Sequence, residues 1–359
     1  MLGEASTEFR LIVDCCRRAF AGGRGERSCG HLLSAVDWGR FARLARFHRV
    51  QGLVWNALAE RREALPDDVA VVLSSDARTI VATNLAIARE CAELRDAFEG
   101  RGVPSLFLKG LTVAALAYRK PMLKMGWDID VLVAEADVVE AAAELEARGY
   151  LRTIPDTDTD LSKWHGRRKE SVWSRPEQAL YIELHTRLAD NRRLIPSIGI
   201  DSPRQEVAVA DGITLPTLAR DELFAYLCVH GASSLWFRLK WITDLAALLS
   251  HCSADEIERL CRRSQELGAG RAAHQALLLA DDLYGSLTDT GLADRLQQSR
   301  AARWLASAAF SQLVANTEGR EPTATLLGTL AIHWTQLLLL PDAGFAAGEA
   351  YRQVRDSIA

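Results

Sequence analysis

The chain has 359 residues, 48% of them hydrophobic and 25% charged, with a formal net charge of −4. That length holds two or three folding units around a sizeable core, and the composition is that of an ordinary globular protein. The slightly acidic balance excludes a general attraction to nucleic acid or to anionic membrane, so any polyanion must be held locally.

Glu4, Glu8, Arg10 and Asp14 interrupt the first twenty residues and leave no secretory h-region. Cys15, Cys16, Cys29, Cys91, Cys228, Cys252 and Cys261 are scattered, odd in number and without C-x-x-C pairs. Reduced thiols and a cytoplasmic setting are therefore expected, and a zinc site is not. Residues 1 to about 100 read as helical, because apolar positions recur at three- and four-residue steps in Phe9–Cys16, Phe41–Ala45 and Val50–Leu58. Asp37 is available as an N-cap, and a long pattern from Val69 stops at Gly100-Arg101-Gly102. This half groups no catalytic residue types, and His48 is taken as structural or surface in preference to pocket-lining.

From Pro104 to Val133 the pattern is strand, helix, loop and strand. The helix opens at Lys109-Gly110, the loop holds Pro121 and Gly126, and the second strand runs Asp128-Ile129-Asp130-Val131-Leu132-Val133. The two-residue period of a strand puts Asp128 and Asp130 on one face and Ile129, Val131 and Val133 on the other. Paired carboxylates repel, so a half-buried pair calls for a cation, commonly Mg2+ shared with substrate phosphates. Lys109 and Gly110 stand where free helical N–H groups favour an anion.

Glu135–Arg148 then reads as a helix with a Gly149 stop, Tyr150–Ile154 as a short strand and Pro155–Asp160 as a solvated acidic loop. Arg167-Arg168-Lys169 is a charged turn or a basic loop beside a phosphate site, ahead of an alternating Ser171–Ser174. In Ala179–His185 the alternation sets Tyr181, Glu183 and His185 against Ile182 and Leu184. A hairpin with Asp211-Gly212 at its turn is expected over Glu206–Leu215, and helices follow from Asp221. In one of them Lys240 and Asp244 stand four apart, which i,i+4 pairing alone accounts for. The apolar tract Leu326–Pro341 is too short and too interrupted to span a membrane and is expected as a buried helix.

Leu108-Lys109-Gly110, an apolar helix ending at Tyr118, a basic residue and then Gly126-x-Asp128-x-Asp130-Val131-Leu132-Val133 resemble the uncharacterised nucleotidyltransferase family, a branch of the polymerase-β-like superfamily. The likeness is strongest over Phe107–Tyr150, extends loosely through Tyr181–His185 and His230–Leu245, and touches Ala42–Val50. The resemblance implies an α+β fold, with a small mixed β-sheet core at 101–216 between helical regions at 1–100 and 217–359. It implies a triad of Asp128, Asp130 and Glu183 that holds one or two Mg2+ ions and performs catalysis. Lys109, Gly110, Lys124, His185, Lys240 and Asp244 would bind the nucleotide.

The implied reaction moves a nucleoside monophosphate, AMP from ATP by default, to a hydroxyl of a small molecule, peptide or protein and releases pyrophosphate. Asp130→Asn is then expected to abolish metal-dependent nucleotide binding and leave the fold intact. The alternatives are a phosphotransferase on the same fold and a non-catalytic regulatory or antitoxin-type module. No basic and aromatic stripe favours nucleic acid as a partner, and no membrane partner is expected. Two departures are notable: Lys-Gly stands where many superfamily members have Gly-Ser, and Lys124 where many have Arg, which keeps charge but loses bidentate recognition.

Overall fold

The computed structural model describes residues 2–20, 36–178, 180–287, 291–315 and 329–358. Residues 1–79 and 227–359 form one compact unit and residues 80–226 a second. The chain is an α+β protein, a small mixed sheet with helices before and after it.

In chain order the first helices are α1 (Thr7–Arg18), α2 (Trp38–Phe47), α3 (Gln51–Leu58) and α4 (Asp67–Gly100). Ser6 caps α1 by accepting the Phe9 N–H, and Asp37 caps α2 by accepting that of Arg40, as its place in the sequence predicts. α1 buries Phe9, Leu11, Ile12, Val13, Cys15 and Cys16, the stripe that its periodicity marks. α4 is long and apolar enough to cross a bilayer. From residue 80 onward, however, its apolar positions Ile87, Ala88, Cys91, Leu94 and Phe98 lie in the core of the second unit.

That core is built on five strands, β1 (Leu106–Phe107), β2 (Ile129–Leu132), β3 (Leu151–Ile154), β4 (Glu170–Arg175) and β5 (Leu180–His185). Their order is β1-β2-β5-β4-β3; β2 and β5 are parallel and the other neighbours antiparallel. Helices α5 (Leu111–Tyr118), α6 (Val138–Ala147) and α7 (Leu161–His165) lie between strands in the chain. A separate hairpin pairs β6 (Arg204–Ala210) with β7 (Ile213–Leu218), and Gly212 at its turn takes φ +72°, which suits glycine. Ile129 and Val131 of β2, Ile182 and Leu184 of β5 and Trp173 of β4 join one buried apolar cluster, so the alternating acids of β2 and β5 are turned to the opposite face.

The chain leaves the second unit within α8 (Arg220–Ser233) and continues with α9 (Leu239–Leu249), α10 (Ala254–Glu266), α11 (Arg271–Tyr284), α12 (Leu292–Gln297), α13 (Arg300–Ala315), α14 (Leu330–Gln336) and α15 (Ala343–Ile358). α1 packs against α9 and α11. Ser253 and Glu256 close a capping box on α10, and the Thr243 and Tyr284 hydroxyls meet at 2.6 Å between α9 and α11. The expected buried helix at Leu326–Pro341 is corrected: of α14 only Thr335 is buried, while Leu330 and Trp334 are exposed, because apolar content does not say which face finds a partner. Residues 326–328 of that tract lie outside the described residues. Cys15, Cys16, Cys91, Cys228, Cys252 and Cys261 are unbridged; Cys29 lies outside the described residues.

Candidate active site

The parallel pairing of β2 with β5 sets Asp130 directly opposite Glu183 and places His185 two residues farther along the same face. β4 adds Glu170 opposite His185. Among the described residues, Asp130, Glu183 and His185 form a group whose ligand atoms all lie within 4.8 Å of one another, the spacing of a metal site. His185 is buried, with Nε2 at 3.1 Å from Asp130 Oδ1 and 3.4 Å from Glu183 Oε2, and Nδ1 at 3.3 Å from Glu170 Oε2.

Two lysines balance these acids. Lys109, just after β1, places Nζ at 2.7 Å from Asp130 Oδ1, and Lys169 closes on Glu170. Burial alone would raise the Asp130 carboxyl, but the Lys109 ammonium and the His185 hydrogen bond hold it well below the usual carboxylate range. Burial would lower Lys109, and Asp130 instead lifts it well above an ordinary lysine. Glu170 is held down to about 2 against its burial by Lys169 and His185. Glu183 moves the other way: burial raises it, and the neighbouring Asp130 charge raises it further. Burial and Lys169 act to lower His185, but its hydrogen bonds to Asp130 and Glu183 leave it raised.

Two carboxylates whose proton affinities are driven apart divide naturally into a holder of positive charge and an acceptor of a proton. Burial also raises the Tyr226 phenol of α8, on which the charges of Lys109, Asp130 and Glu183 bear.

Asp128 is half-buried one residue ahead of β2 and is not part of the 4.8 Å group, although its charge bears on Lys109. Gly110 precedes α5 at φ +66° and ψ −120°, a backbone conformation that side chains resist. Lys124 is buried, and its carbonyl accepts the Asn84 Nδ2–H at 2.7 Å. Lys240 and Asp244 are buried in α9, in the other unit. His48 has its ring fully buried at the end of α2, where Nδ1 accepts the Leu239 N–H, a packing role.

Two contributors, Glu170 and Asn84, escape a reading of the sequence. Glu170 joins the site only because β4 lies beside β5, and Lys169 is the member of the basic run that pairs with it. Asn84 is fully buried on α4. It donates to the carbonyls of Lys124 and Pro121 and accepts the Gly126 N–H at 3.0 Å, so it ties down the loop that leads into β2. A β-carbon on Gly126 would stand 2.6 Å from Asn84 Oδ1, which explains the glycine.

Residues 34–285 match the family described as an uncharacterised nucleotidyltransferase. No curated protein matches the chain.

Proposed function

The chain belongs to the uncharacterised nucleotidyltransferase family, and on that premise we propose that it is a Mg2+-dependent enzyme moving a nucleoside monophosphate from a nucleoside triphosphate to an acceptor hydroxyl, with release of pyrophosphate. The observation that carries this reading is the pairing of Asp130 with Glu183 across β2 and β5, within ligand distance of His185.

The donor set fits the ion. Mg2+ takes oxygen ligands, commonly one or two carboxylates completed by substrate phosphates, and Asp130 and Glu183 supply that pair with Asp128 close by in the chain. An imidazole suits Mg2+ less well. With Nε2 against both carboxylates, His185 is suited to orienting them, as hydrogen-bonding partners around metal ligands do. One or two ions held there would neutralise the triphosphate and stabilise charge on the attacking and leaving oxygens.

The chain's own groups carry the rest. Lys109, on a flexible stem, offers a point charge to a phosphate, and Gly110 lets a phosphate approach the backbone before α5. Glu183, paired with Asp130 across β2 and β5 and half-exposed, stands where it can accept the proton of the acceptor hydroxyl. Lys124 is a further candidate for the nucleotide site, with ATP as the default donor and a small molecule, peptide or protein as the acceptor class.

The test is incubation of the protein with Mg2+, candidate acceptors and nucleoside triphosphates labelled at the α- or γ-phosphate. Transfer of the α-label with release of pyrophosphate is the expected result. Transfer of the γ-label would make the protein a phosphotransferase. Absence of both turnover and nucleotide binding would make it a non-catalytic module.

A further inference from the structure

Trp127 and Tyr181 are among the few large apolar side chains that the second unit leaves exposed, at 51% and 38%. Their rings are parallel to within 7°, with centroids 6.1 Å apart. Exposing two flat rings to water forgoes the stabilisation that burial of either would bring, so their position needs an explanation other than the core.

The position is informative. Trp127 immediately precedes Asp128, and Tyr181 lies two residues before Glu183 on the same face of β5. At a strand rise of about 3.3 Å per residue, the Tyr181 ring is rooted about 7 Å from the Glu183 carboxylate along the strand. One pentose separates the phosphates of a nucleotide from its base, a comparable reach. Along this face the side chains pass from exposed Tyr181 through half-buried Glu183 to buried His185. The aromatic pair therefore stands at the open rim of the charged site.

We infer that Trp127 and Tyr181 form a stacking platform for the nucleobase of the donor nucleoside triphosphate, an inference that rests on the nucleotidyltransferase reading above. Stacking on a π-face tolerates any base and favours the larger purines, and no hydrogen-bond readout of base identity is required of the platform.

The test is calorimetric titration of the full chain in Mg2+ with ATP and, separately, with inorganic tripolyphosphate, using wild type, Trp127→Ala and Trp127→Phe. The expected result is that Trp127→Ala weakens ATP binding about 5- to 100-fold, Trp127→Phe retains most of the affinity, and tripolyphosphate binds all three proteins alike. Trp127→Ala binding ATP as tightly as wild type would overturn the platform and leave the nucleotidyltransferase reading standing. Equal weakening of ATP and tripolyphosphate would also overturn it, by showing that Trp127 acts through the Asp128 loop. A wild-type chain that binds neither ligand would overturn the nucleotide reading and the platform with it.

Discussion

Lys109 is the side chain that makes a buried Asp130 tolerable. The two are 2.7 Å apart and the aspartate side chain is 1% exposed, so removing either partner strands the other charge in a poorly solvated place. Asp130→Asn should accordingly cost about 3 kcal/mol in urea unfolding, at the low end for a broken buried pair because Lys109 keeps some access to water. The double variant Lys109→Met/Asp130→Asn should lose less than the sum of the single variants. Strict additivity would show that the pair is not coupled. Glu183→Gln is the cleaner probe of chemistry, since the Glu183 side chain is 27% exposed where that of Asp130 is 1% exposed.

Among the elements, α4 and the 121–126 loop are joined through one amide. Asn84→Ala would leave the buried carbonyl of Lys124 and the N–H of Gly126 without that partner and should cost about 2–3 kcal/mol. Gly126→Ala should cost about 1–3 kcal/mol through the clash with Asn84 Oδ1. Combining the two relieves the clash, so thermal or urea unfolding should show the double variant more stable than the summed losses imply. Summed losses would remove Asn84 as the clamp.

The same elements show how much the residues disclose in advance. Alternation in β2 and β5 marks Asp130, Glu183 and His185 as one polar face, because a two-residue period is a local property of the chain. Asp128 stands one residue ahead of the ladder, which begins at Ile129, so alternation within the strand does not by itself fix its side. Glu170 and Asn84 carry no local signal at all. One becomes part of the site through the lateral order of strands, the other through a helix packed across a loop about forty residues downstream. Helical periodicity likewise finds α1, α9 and α11 separately but not their packing, which joins the first sixty residues to the last hundred and thirty.

For the whole molecule, stability should fall in mild acid. Burial lowers His48 to about 3 and His165 to about 4, from 6.5 for a free histidine. Below pH 6.5 the unfolded chain binds protons that these two rings refuse, so their stabilising effect is complete above 6.5 and is lost as pH falls toward 4 and 3. The slope is about 1.4 kcal/mol per pH unit for each. Glu183, which is raised, works in the opposite sense over part of this range, so the comparison with a variant isolates one ring. His48→Asn keeps an acceptor for the Leu239 N–H and should flatten the pH dependence of urea unfolding between 6.5 and 4.5 by about one proton; an unchanged slope would mean that His48 titrates normally.

The central claim for the molecule is that Asp130 and Glu183 hold a cation which in turn holds a nucleoside triphosphate. Its most direct test is thermal unfolding of wild type and Glu183→Gln with Mg2+, with each nucleoside triphosphate, and with both together. A ligand at a hundred times its dissociation constant stabilises a protein by about 2.7 kcal/mol, enough to shift the midpoint visibly. The expected result is a shift that requires both Mg2+ and nucleotide in wild type and is absent from Glu183→Gln. A wild-type chain unmoved by every nucleotide, or a Glu183→Gln chain that shifts as far as wild type, would contradict it.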